Sequence, residues 1–169
     1  SILFHDYKDA LGKNGSSNIR ALLQLKKEKK VKKIGISINN PSDLGKIWKK
    51  WKPDLVQAPF NIIDQRIYKT KWLKKLKKHN VEFHSRSCFL QGLLTDYNEN
   101  NKVYKQFNKW KKLLNNWNEW SKTNNISRVK GCINFIRKFE GIDYLIIGIE
   151  NSKQLLEIIK IFNGKISYV

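Results

Sequence analysis

Apolar and polar residues alternate along this 169-residue chain with two different periods. Five short stretches are rich in β-branched and other apolar residues, as buried strands are, and they cover residues 2–4, 34–38, 54–57, 81–85 and 144–148. Between them apolar residues recur every three or four positions, which predicts helices, over residues 18–30, 42–51, 70–80, 107–120, 127–139 and 152–162. We therefore expect strands and helices in alternation.

Short connections between these elements indicate βαβ units and a parallel sheet. Two closures compete, an open doubly wound sheet and a (β/α)8 barrel, and the sequence lacks the glycine fingerprint of open dinucleotide-binding sheets. Polar residues end strand after strand, at His5, Ser37, Gln57 and Ser85–Ser87. Because barrel enzymes collect their chemistry at that edge, this pattern favours an α/β fold of the parallel (β/α)8 TIM-barrel type. We expect a single domain, residues 1–169.

The charge of the chain changes this picture little. A net charge of +20 is typical of proteins that bind nucleic acid. However, 29 of the 34 cations are Lys and 5 are Arg, whereas recognition of bases and phosphates favours the planar Arg side chain. The lysines also fall on the polar faces of predicted helices, as in TKWLKKLKKHN. We interpret them as solvated faces and do not favour nucleic acid as a partner.

Other signals exclude whole classes of protein. No apolar run approaches the roughly 20 residues of a membrane-spanning helix, and no signal-peptide pattern follows Ser1, so we expect a cytoplasmic protein without a membrane partner. Cys88 and Cys132 have no metal-binding spacing, which predicts reduced, buried thiols and no metal site. The chain contains no methionine, which predicts truncation or processing at its N-terminus.

Four segments now carry a resemblance. In order and separation, KKIGISINNPSDL, DLVQAPFNIIDQR, VEFHSRSCFLQGLL and IDYLIIGIENSKQLLEII resemble the second half of the aldo/keto reductase family. Members of that family are (β/α)8 barrels that reduce aldehydes and ketones, usually with NADPH, and they have no Rossmann domain. The resemblance implies a small-molecule carbonyl substrate. It also implies that SILFHD is the fourth barrel strand and that three strands belong before it. The chain would then be a partial barrel of about five strands.

The resemblance implies roles for residues near the reacting atoms. His5 matches the histidine of the family's catalytic group of Asp, Tyr, Lys and His, and would hydrogen-bond the substrate carbonyl. The other three members are not in this sequence, so we expect the chain alone to be inactive, and whether it is an enzyme stays open. Ser37 and Gln57 would bind the nicotinamide carboxamide, although Ile38 replaces the usual Asn. Arg86 stands where many members stack an aromatic ring on the nicotinamide.

The remaining implied contacts concern the phosphates and adenosine of the cofactor. Ser87 to Gly92 would pass along the pyrophosphate, with Gly92 allowing close backbone approach. Further along, where the family often has a cation for the 2′-phosphate of NADP, the chain offers Gly148, Glu150, Ser152 and Gln154. A carboxylate such as Glu150 repels a 2′-phosphate but accepts a hydrogen bond from a 2′-hydroxyl. NADP, which the family favours, and NAD therefore both remain candidates.

Two other functions stay open. The first is a non-catalytic barrel relative that binds a nicotinamide cofactor without turnover, as family members that serve as ion-channel subunits do. The second is a basic nucleic-acid-binding module, for which salt-dependent DNA binding is the test. We interpret the remaining notable side chains as structural. His79 and His84 have no predicted site role, and Asp64 and Arg66 pair locally. The helical stripe of Trp110, Trp117 and Trp120 packs its helix on the barrel.

Overall fold

A computed structural model describes residues 1–165 of the chain. Within this range, five parallel strands form one sheet, and each strand pairs with the next along the chain. The strands are β1 (Ile2–Phe4), β2 (Ile34–Ser37), β3 (Leu55–Pro59), β4 (Glu82–Arg86) and β5 (Tyr144–Leu145). A doubly wound sheet reverses its strand order at a switch point. This sheet has the uninterrupted order of a barrel segment instead.

Helices connect the strands, as the apolar spacing predicted. They are α1 (Lys8–Leu11), α2 (Gly15–Lys27), α3 (Ser42–Lys50), α4 (Arg66–Lys69), α5 (Trp72–Lys78), α6 (Leu93–Asp96), α7 (Lys111–Thr123), α8 (Arg128–Arg137) and α9 (Ser152–Asn163). The single helix predicted over residues 107–120 is wrong in part, because a 3-10 helix (Lys102–Trp110) precedes α7. The 3-10 segment buries no side chain. Since packing of an apolar face supplies most helix stability, nothing here enforces the α-helical form.

One face of the sheet forms the core of the first part of the chain. Ile36, Val56 and Phe83 stand in register on adjacent strands, and all three are 0% exposed. Helix α2 contacts β2, and α5 contacts β4. Because side chains alternate along a strand, the residues between these apolar ones point to the opposite face. That opposite face carries the polar residues of the candidate site.

The chain divides into two compact units, which are described separately. The first unit comprises Ser1–Arg86 and Glu140–Ile146, and therefore contains the whole sheet with α1 to α5. The second unit comprises Ser87–Phe139 and the chain from Ile147 onward, and contains the 3-10 helix with α6 to α9.

Tryptophan side chains organise the second unit. The rings of Trp117 and Trp120 stack with centroids 4.9 Å apart and an interplanar angle of 6°. Trp117 Nε1 donates a hydrogen bond to the Leu94 carbonyl at 2.8 Å, and its ring lies against Gly131 of α8. Trp117 and Trp120 therefore pack within the second unit. The predicted packing role is wrong for Trp110, which is 47% exposed.

Within residues 1–165, no helix combines the length and apolar character needed to cross a lipid bilayer. In the same range, no group of three or more His, Cys, Asp and Glu side chains is placed to hold a metal ion. Cys88 and Cys132 are both free thiols in buried positions, as predicted.

Candidate active site

Ser37 and Gln57 lie side by side on neighbouring strands of the first unit. The sheet register pairs them directly, and Ser37 Oγ donates a long hydrogen bond of 3.4 Å to Gln57 Oε1. Ser37 ends β2 and is 5% exposed, whereas Gln57 is partly exposed. A hydroxyl and a carboxamide therefore meet at this place. The sequence had predicted both residues for one site, and the register brings them together.

The same row of the sheet continues into residues for which the sequence pattern predicts no functional role. Gln57 pairs with His84, and His84 pairs with Tyr144. The rings of His84 and Tyr144 have centroids 4.9 Å apart. The sequence pattern predicts a structural role for His84, but His84 lies two residues before Arg86 and therefore shares its face of the sheet. That spacing was the signal that His84 belongs beside Gln57.

A charged pair stands on this face at the amino end of β4. Lys33 Nζ donates a hydrogen bond to Glu82 Oε1, and Glu82 Oε2 lies 3.2 Å from His84 Nε2. The Lys33 hydrogen bond, opposed by burial and assisted by His84, holds the pKa of the Glu82 carboxyl below its usual value. Glu82 is therefore an ionised acceptor near neutral pH. The sequence pattern gave no indication of this charged pair.

Arg86 ends β4 and reaches across to the chain that follows β2. Its Nη2 donates to the Ile38 carbonyl at 3.1 Å and to the Asn39 side-chain oxygen. Burial lowers the pKa of the Arg86 guanidinium, and the carboxylate of Asp64 opposes that shift. The side chain is thus directed at the carboxyl end of β2. Its stacking on a nicotinamide ring stays a prediction.

Asp64 and Arg66 form the local pair that the sequence predicted. Arg66 Nη2 lies 2.7 Å from Asp64 Oδ2, and Arg66 Nε lies 2.9 Å from Oδ1. Burial favours the neutral acid, but the hydrogen bonds from Arg66 outweigh it, so the pKa of Asp64 is lowered. The turn is fixed by Asn61, whose Oδ1 accepts hydrogen bonds from the backbone N–H groups of Ile63 and Asp64. Arg66 also donates from Nη2 to the Asn39 carbonyl at 3.1 Å.

His5 follows β1 and is exposed. The last register pair of β1 and β2 joins Phe4 to Ile36. His5 and Ser37 each follow one member of that pair, so both belong to the same carboxyl-terminal edge of the sheet. The catalytic role of His5 stays a prediction.

In the second unit, the segment predicted to pass along a pyrophosphate has an unusual backbone. Ser87, Leu90, Gln91 and Gly92 all have positive φ angles, of 59°, 46°, 54° and 86°. Only glycine adopts this region without cost, so Leu90 and Gln91 are strained. A β-carbon at Gly92 would also lie 3.0 Å from Asp96 Oδ2. The sequence identified Gly92 but not the strained residues before it.

Four residues predicted to contact the adenosine end of the cofactor lie around the start of α9. They are Gly148, Glu150, Ser152 and Gln154. Asn151 Oδ1 accepts a hydrogen bond from the Gln154 backbone N–H at 3.0 Å, and Gln154 Oε1 accepts one from the Glu150 backbone N–H at 2.9 Å. Asn151 therefore caps the helix, and the Gln154 side chain ties the residue before the cap to the first turn. Glu150 and Ser152 are exposed, and a β-carbon at Gly148 would meet nothing within 4 Å. The cofactor roles of these residues stay predictions.

The second unit also holds a polar cavity of about 610 Å³, which the sequence did not indicate. Amides, carboxylates and cations line it, at Asp96, Tyr97, Asn98, Glu99, Asn100, Asn115, Asn118, Glu119, Ser121, Lys122 and Arg128. Arg128 Nη1 donates to the Tyr97 carbonyl at 3.0 Å and to Asn118 Oδ1 at 2.6 Å. Its guanidinium therefore ties the loop after α6 to α7.

The sequence matches one family of known proteins. The model of the Aldo/keto reductase family matches residues 9–168. That range includes Ser37, Gln57 and Arg86 but not His5. A search of curated proteins gives no match to this sequence.

Solved structures are similar to the chain in fold. An aldo-keto reductase from Bacillus halodurans in its apo form gives a TM-score of 0.71 at 18% identity, over 89% of this chain and 52% of that chain. Its holo form gives 0.70 at 16% identity, over 89% and 51%. The glycerol dehydrogenase of Gluconobacter oxydans gives 0.59 at 16% identity, over 94% and 55%. The chain thus spans about half the length of these proteins, and its fold is a partial (β/α)8 barrel.

Proposed function

Because this chain belongs to the aldo/keto reductase family, we propose that it forms part of an NAD(P)H-dependent oxidoreductase that reduces an aldehyde or ketone to an alcohol. The observation that carries the proposal is the pairing of Ser37 with Gln57 on adjacent strands. These are the two residues that the resemblance assigns to the nicotinamide carboxamide. The predicted cytoplasmic location is part of the same proposal.

We further propose that residues 1–169 are the C-terminal part of such a barrel. Two observations support this: the five strands follow one another in order, and the chain covers 52% of the Bacillus halodurans enzyme. The family's Asp, Tyr and Lys would then come from the three preceding strands. Reduction needs an acid that protonates the developing alkoxide, so the 169-residue chain alone would be inactive.

The residues of the first unit fit a nicotinamide carboxamide. The cofactor supplies the hydride when it is bound. A carboxamide presents one acceptor and two donors, and the Ser37 hydroxyl and Gln57 amide together provide groups of both kinds. Gln57 is partly exposed, so a ligand can reach it. His5 would donate a hydrogen bond to the substrate carbonyl oxygen, which orients the carbonyl for hydride transfer.

The choice between NADP and NAD rests on the second unit. There Ser87, Gly92, Gly148, Glu150, Ser152 and Gln154 are the proposed contacts of the phosphates and adenosine. Glu150 is exposed, and its carboxylate would repel a 2′-phosphate. If it faces the ribose, Glu150→Lys should strengthen NADPH binding and weaken NADH binding. If Glu150→Lys binds NADPH and NADH with the same affinities as the unmodified chain, Glu150 is not part of the cofactor site.

The test of the proposal is cofactor binding by the 169-residue chain, followed through its six tryptophans. We expect NADH or NADPH to quench their emission saturably. Gln57→Leu should weaken binding about tenfold, since a buried ligand amide loses its partners. Gln106→Leu, on the exposed 3-10 helix, is the matched control. An unchanged affinity in Gln57→Leu would reject the carboxamide assignment.

Turnover separates the proposed enzyme from its closest alternative. NAD(P)H-dependent reduction of an aromatic aldehyde by the purified chain would contradict inactivity of this part alone. The sequence that precedes Ser1 in the gene should supply an Asp, a Tyr and a Lys at the ends of three strands. A longer protein that has these residues, binds the cofactor and reduces no carbonyl compound would favour the non-catalytic relative.

A further inference from the structure

The 3-10 helix of the second unit, Lys102–Trp110, leads into α7 with large apolar side chains in contact with solvent. The helix itself buries no side chain. Val103 is 67% exposed and Trp110 is 47% exposed. Leu113, in the first turn of α7, is 46% exposed. Burial against the rest of the second unit therefore does not account for the apolar spacing of this stretch.

The period of the 3-10 helix sorts its side chains into rows. Such a helix has about three residues per turn, so side chains three positions apart lie above one another. Tyr104, Phe107 and Trp110 therefore form one aromatic row. The rings of Phe107 and Trp110 have centroids 6.3 Å apart, and those of Tyr104 and Tyr97 have centroids 5.5 Å apart. Tyr97 thus anchors one end of the row, and Trp110 is its exposed end.

Lysines flank the aromatic row. Between Glu99 and Glu119 the chain has no acidic residue and no arginine. In the same interval it has five lysines: Lys102, Lys105, Lys109, Lys111 and Lys112. Lys111 Nζ lies 3.1 Å from a carboxylate oxygen of Glu99, and Lys109 Nζ lies 5.8 Å from the centroid of the Trp110 ring. Among the residues that the structure describes, the other three lysines make no ion pair. Their charge is available to an external anion.

This mixture of side chains matches the surface of an anionic bilayer. Tryptophan prefers the boundary between water and hydrocarbon, and apolar side chains of surface-bound helices enter that boundary. Lysines near the surface are attracted to anionic headgroups. The exposed Trp110 and Leu113 supply the first kind of contact, and the flanking lysines supply the second. The charge of the segment is therefore complementary to such a surface.

Two other occupants fit less well. A single-stranded nucleic acid would stack on aromatic rings and follow the charge, but it offers no partner to Val103 or Leu113. It would also favour arginine, which residues 102–113 do not contain. A second copy of this chain would bring a second net charge of +20, and like charges repel.

We propose that residues 102–113 bind the surface of an anionic membrane, with Trp110 and Leu113 entering the headgroup region and the lysines contacting the headgroups. The sequence predicts no membrane partner because no apolar run is long enough to span a bilayer. Attachment to the surface needs no such run. The inference rests on the second unit alone and does not depend on the proposed reductase function.

The test is co-sedimentation of the 169-residue chain with vesicles of phosphatidylglycerol and phosphatidylcholine in equal parts, compared with phosphatidylcholine alone. We expect binding to the anionic vesicles only, and release as salt is added. Lys102→Gln combined with Lys105→Gln should weaken binding about fivefold for each lysine removed. Lys13→Gln combined with Lys27→Gln, at exposed positions of the first unit, is the matched control and should change the affinity by less than about twofold. Equal weakening in both double variants would overturn the site, because binding would then follow net charge.

A second pair of variants tests the apolar contact. Leu113→Ala should weaken binding to the anionic vesicles about fivefold, because less apolar area leaves water. Leu23→Ala removes a leucine of α2 that is 44% exposed, and it should leave the affinity unchanged. Circular dichroism checks that each variant keeps its fold. Equal affinities of Leu113→Ala and the unmodified chain would overturn the insertion of this side chain.

Tryptophan emission locates the contact. On anionic vesicles the emission of the unmodified chain should move to shorter wavelength, as a ring leaves water. Trp110→Phe keeps an apolar ring and should still bind, but the shift should be lost. A shift that persists in Trp110→Phe would place another tryptophan at the membrane and overturn the site.

The remaining outcomes concern the other occupants. Absence of binding to anionic vesicles would overturn the proposal. If a single-stranded oligonucleotide then binds through Lys102 and Lys105, the segment is a nucleic-acid surface. If the chain instead self-associates without vesicles, and Leu113→Ala abolishes the association, the occupant is a second copy.

Discussion

Leu55 fills the space in front of the Gly35 α-carbon: a β-carbon at residue 35 would lie 2.4 Å from Leu55 Cγ and 2.5 Å from the Leu55 carbonyl oxygen. The two residues pair directly across β2 and β3. Leu55 is also fully buried. Glycine at position 35 is therefore what allows these strands to pack at this point of the sheet.

Gly35→Ala should destabilise the chain by about 2 kcal/mol, because a backbone oxygen cannot rotate away from the new methyl group. Urea unfolding measures the change. Gly45→Ala is the matched control, since a β-carbon at this position of α3 would meet nothing within 4 Å. It should be neutral or stabilising by up to ~1 kcal/mol. A similar loss in both variants would contradict the packing argument.

Gly131→Ala should disturb the stacked tryptophans of the second unit. The added β-carbon would lie 2.6 Å from Trp117 Cη2 and 3.1 Å from Trp120 Cζ3. We expect a weaker near-ultraviolet circular dichroism signal and a loss of about 1–3 kcal/mol of stability. Trp110→Phe, which removes an exposed ring, should change neither by a comparable amount. An unaltered aromatic signal in Gly131→Ala would show that α7 and α8 do not pack through this glycine.

The Asp64–Arg66 pair should make stability depend on pH in acid solution. The pKa of Asp64 is lower in the folded chain than its ordinary value of 3.8. The carboxylate therefore stabilises the fold at all pH values above that ordinary value, and this contribution is lost as pH falls through the folded value. Between about pH 6 and pH 3, urea midpoints should fall less in Asp64→Asn than in the unmodified chain. In Asp9→Asn, at an exposed position of α1, the urea midpoint should change with pH as it does in the unmodified chain. If the midpoint changes equally in all three chains, the Asp64–Arg66 pair does not stabilise the fold.

Both cysteines should resist thiol reagents while the chain is folded. Burial raises the pKa of Cys132 to about 12, and burial together with the neighbouring Cys132 raises the pKa of the Cys88 thiol further. The thiolate is the reactive form, and almost none exists at pH 8. An aromatic disulfide reagent should label both residues in denaturant and neither in native buffer. Rapid labelling of one thiol in the native chain would place that cysteine at the surface.

The strands of the core could be read from the sequence because their composition and their environment agree. The expected strand starts at residues 34, 54 and 81 lie within one residue of the observed starts at Ile34, Leu55 and Glu82. The last strand is shorter than expected and ends at Leu145. Its ladder stops after the Ile146 N–H reaches the Ser85 carbonyl, because β4 itself ends one residue later. Apolar composition indicates burial, but it does not specify where a pairing partner ends.

The candidate site was predictable only where it depends on alternation. Ser37 and Gln57 follow from the two-residue period of neighbouring strands. The direction of the Arg86 side chain does not follow from this period, because it is set by a hydrogen bond to Asn39, 47 residues away in the sequence. The left-handed backbone at Leu90 and Gln91 contradicts the local preference of both residues. A strained conformation of this kind persists only where the surrounding structure determines it, and a single sequence does not display that structure.

The sequential strand order also shapes how the protein is made. Ser37 of β2 and Gln57 of β3 are 20 residues apart in the sequence. Phe83 of β4 donates a backbone hydrogen bond to Asp143, just before β5, which is 60 residues away. A chain leaving the ribosome can therefore assemble four strands early, each by closing a short loop. The edge of β4 then stays open while the ribosome adds the helices up to α8. During that interval of translation, a chaperone or a neighbouring nascent chain has its best opportunity to bind β4.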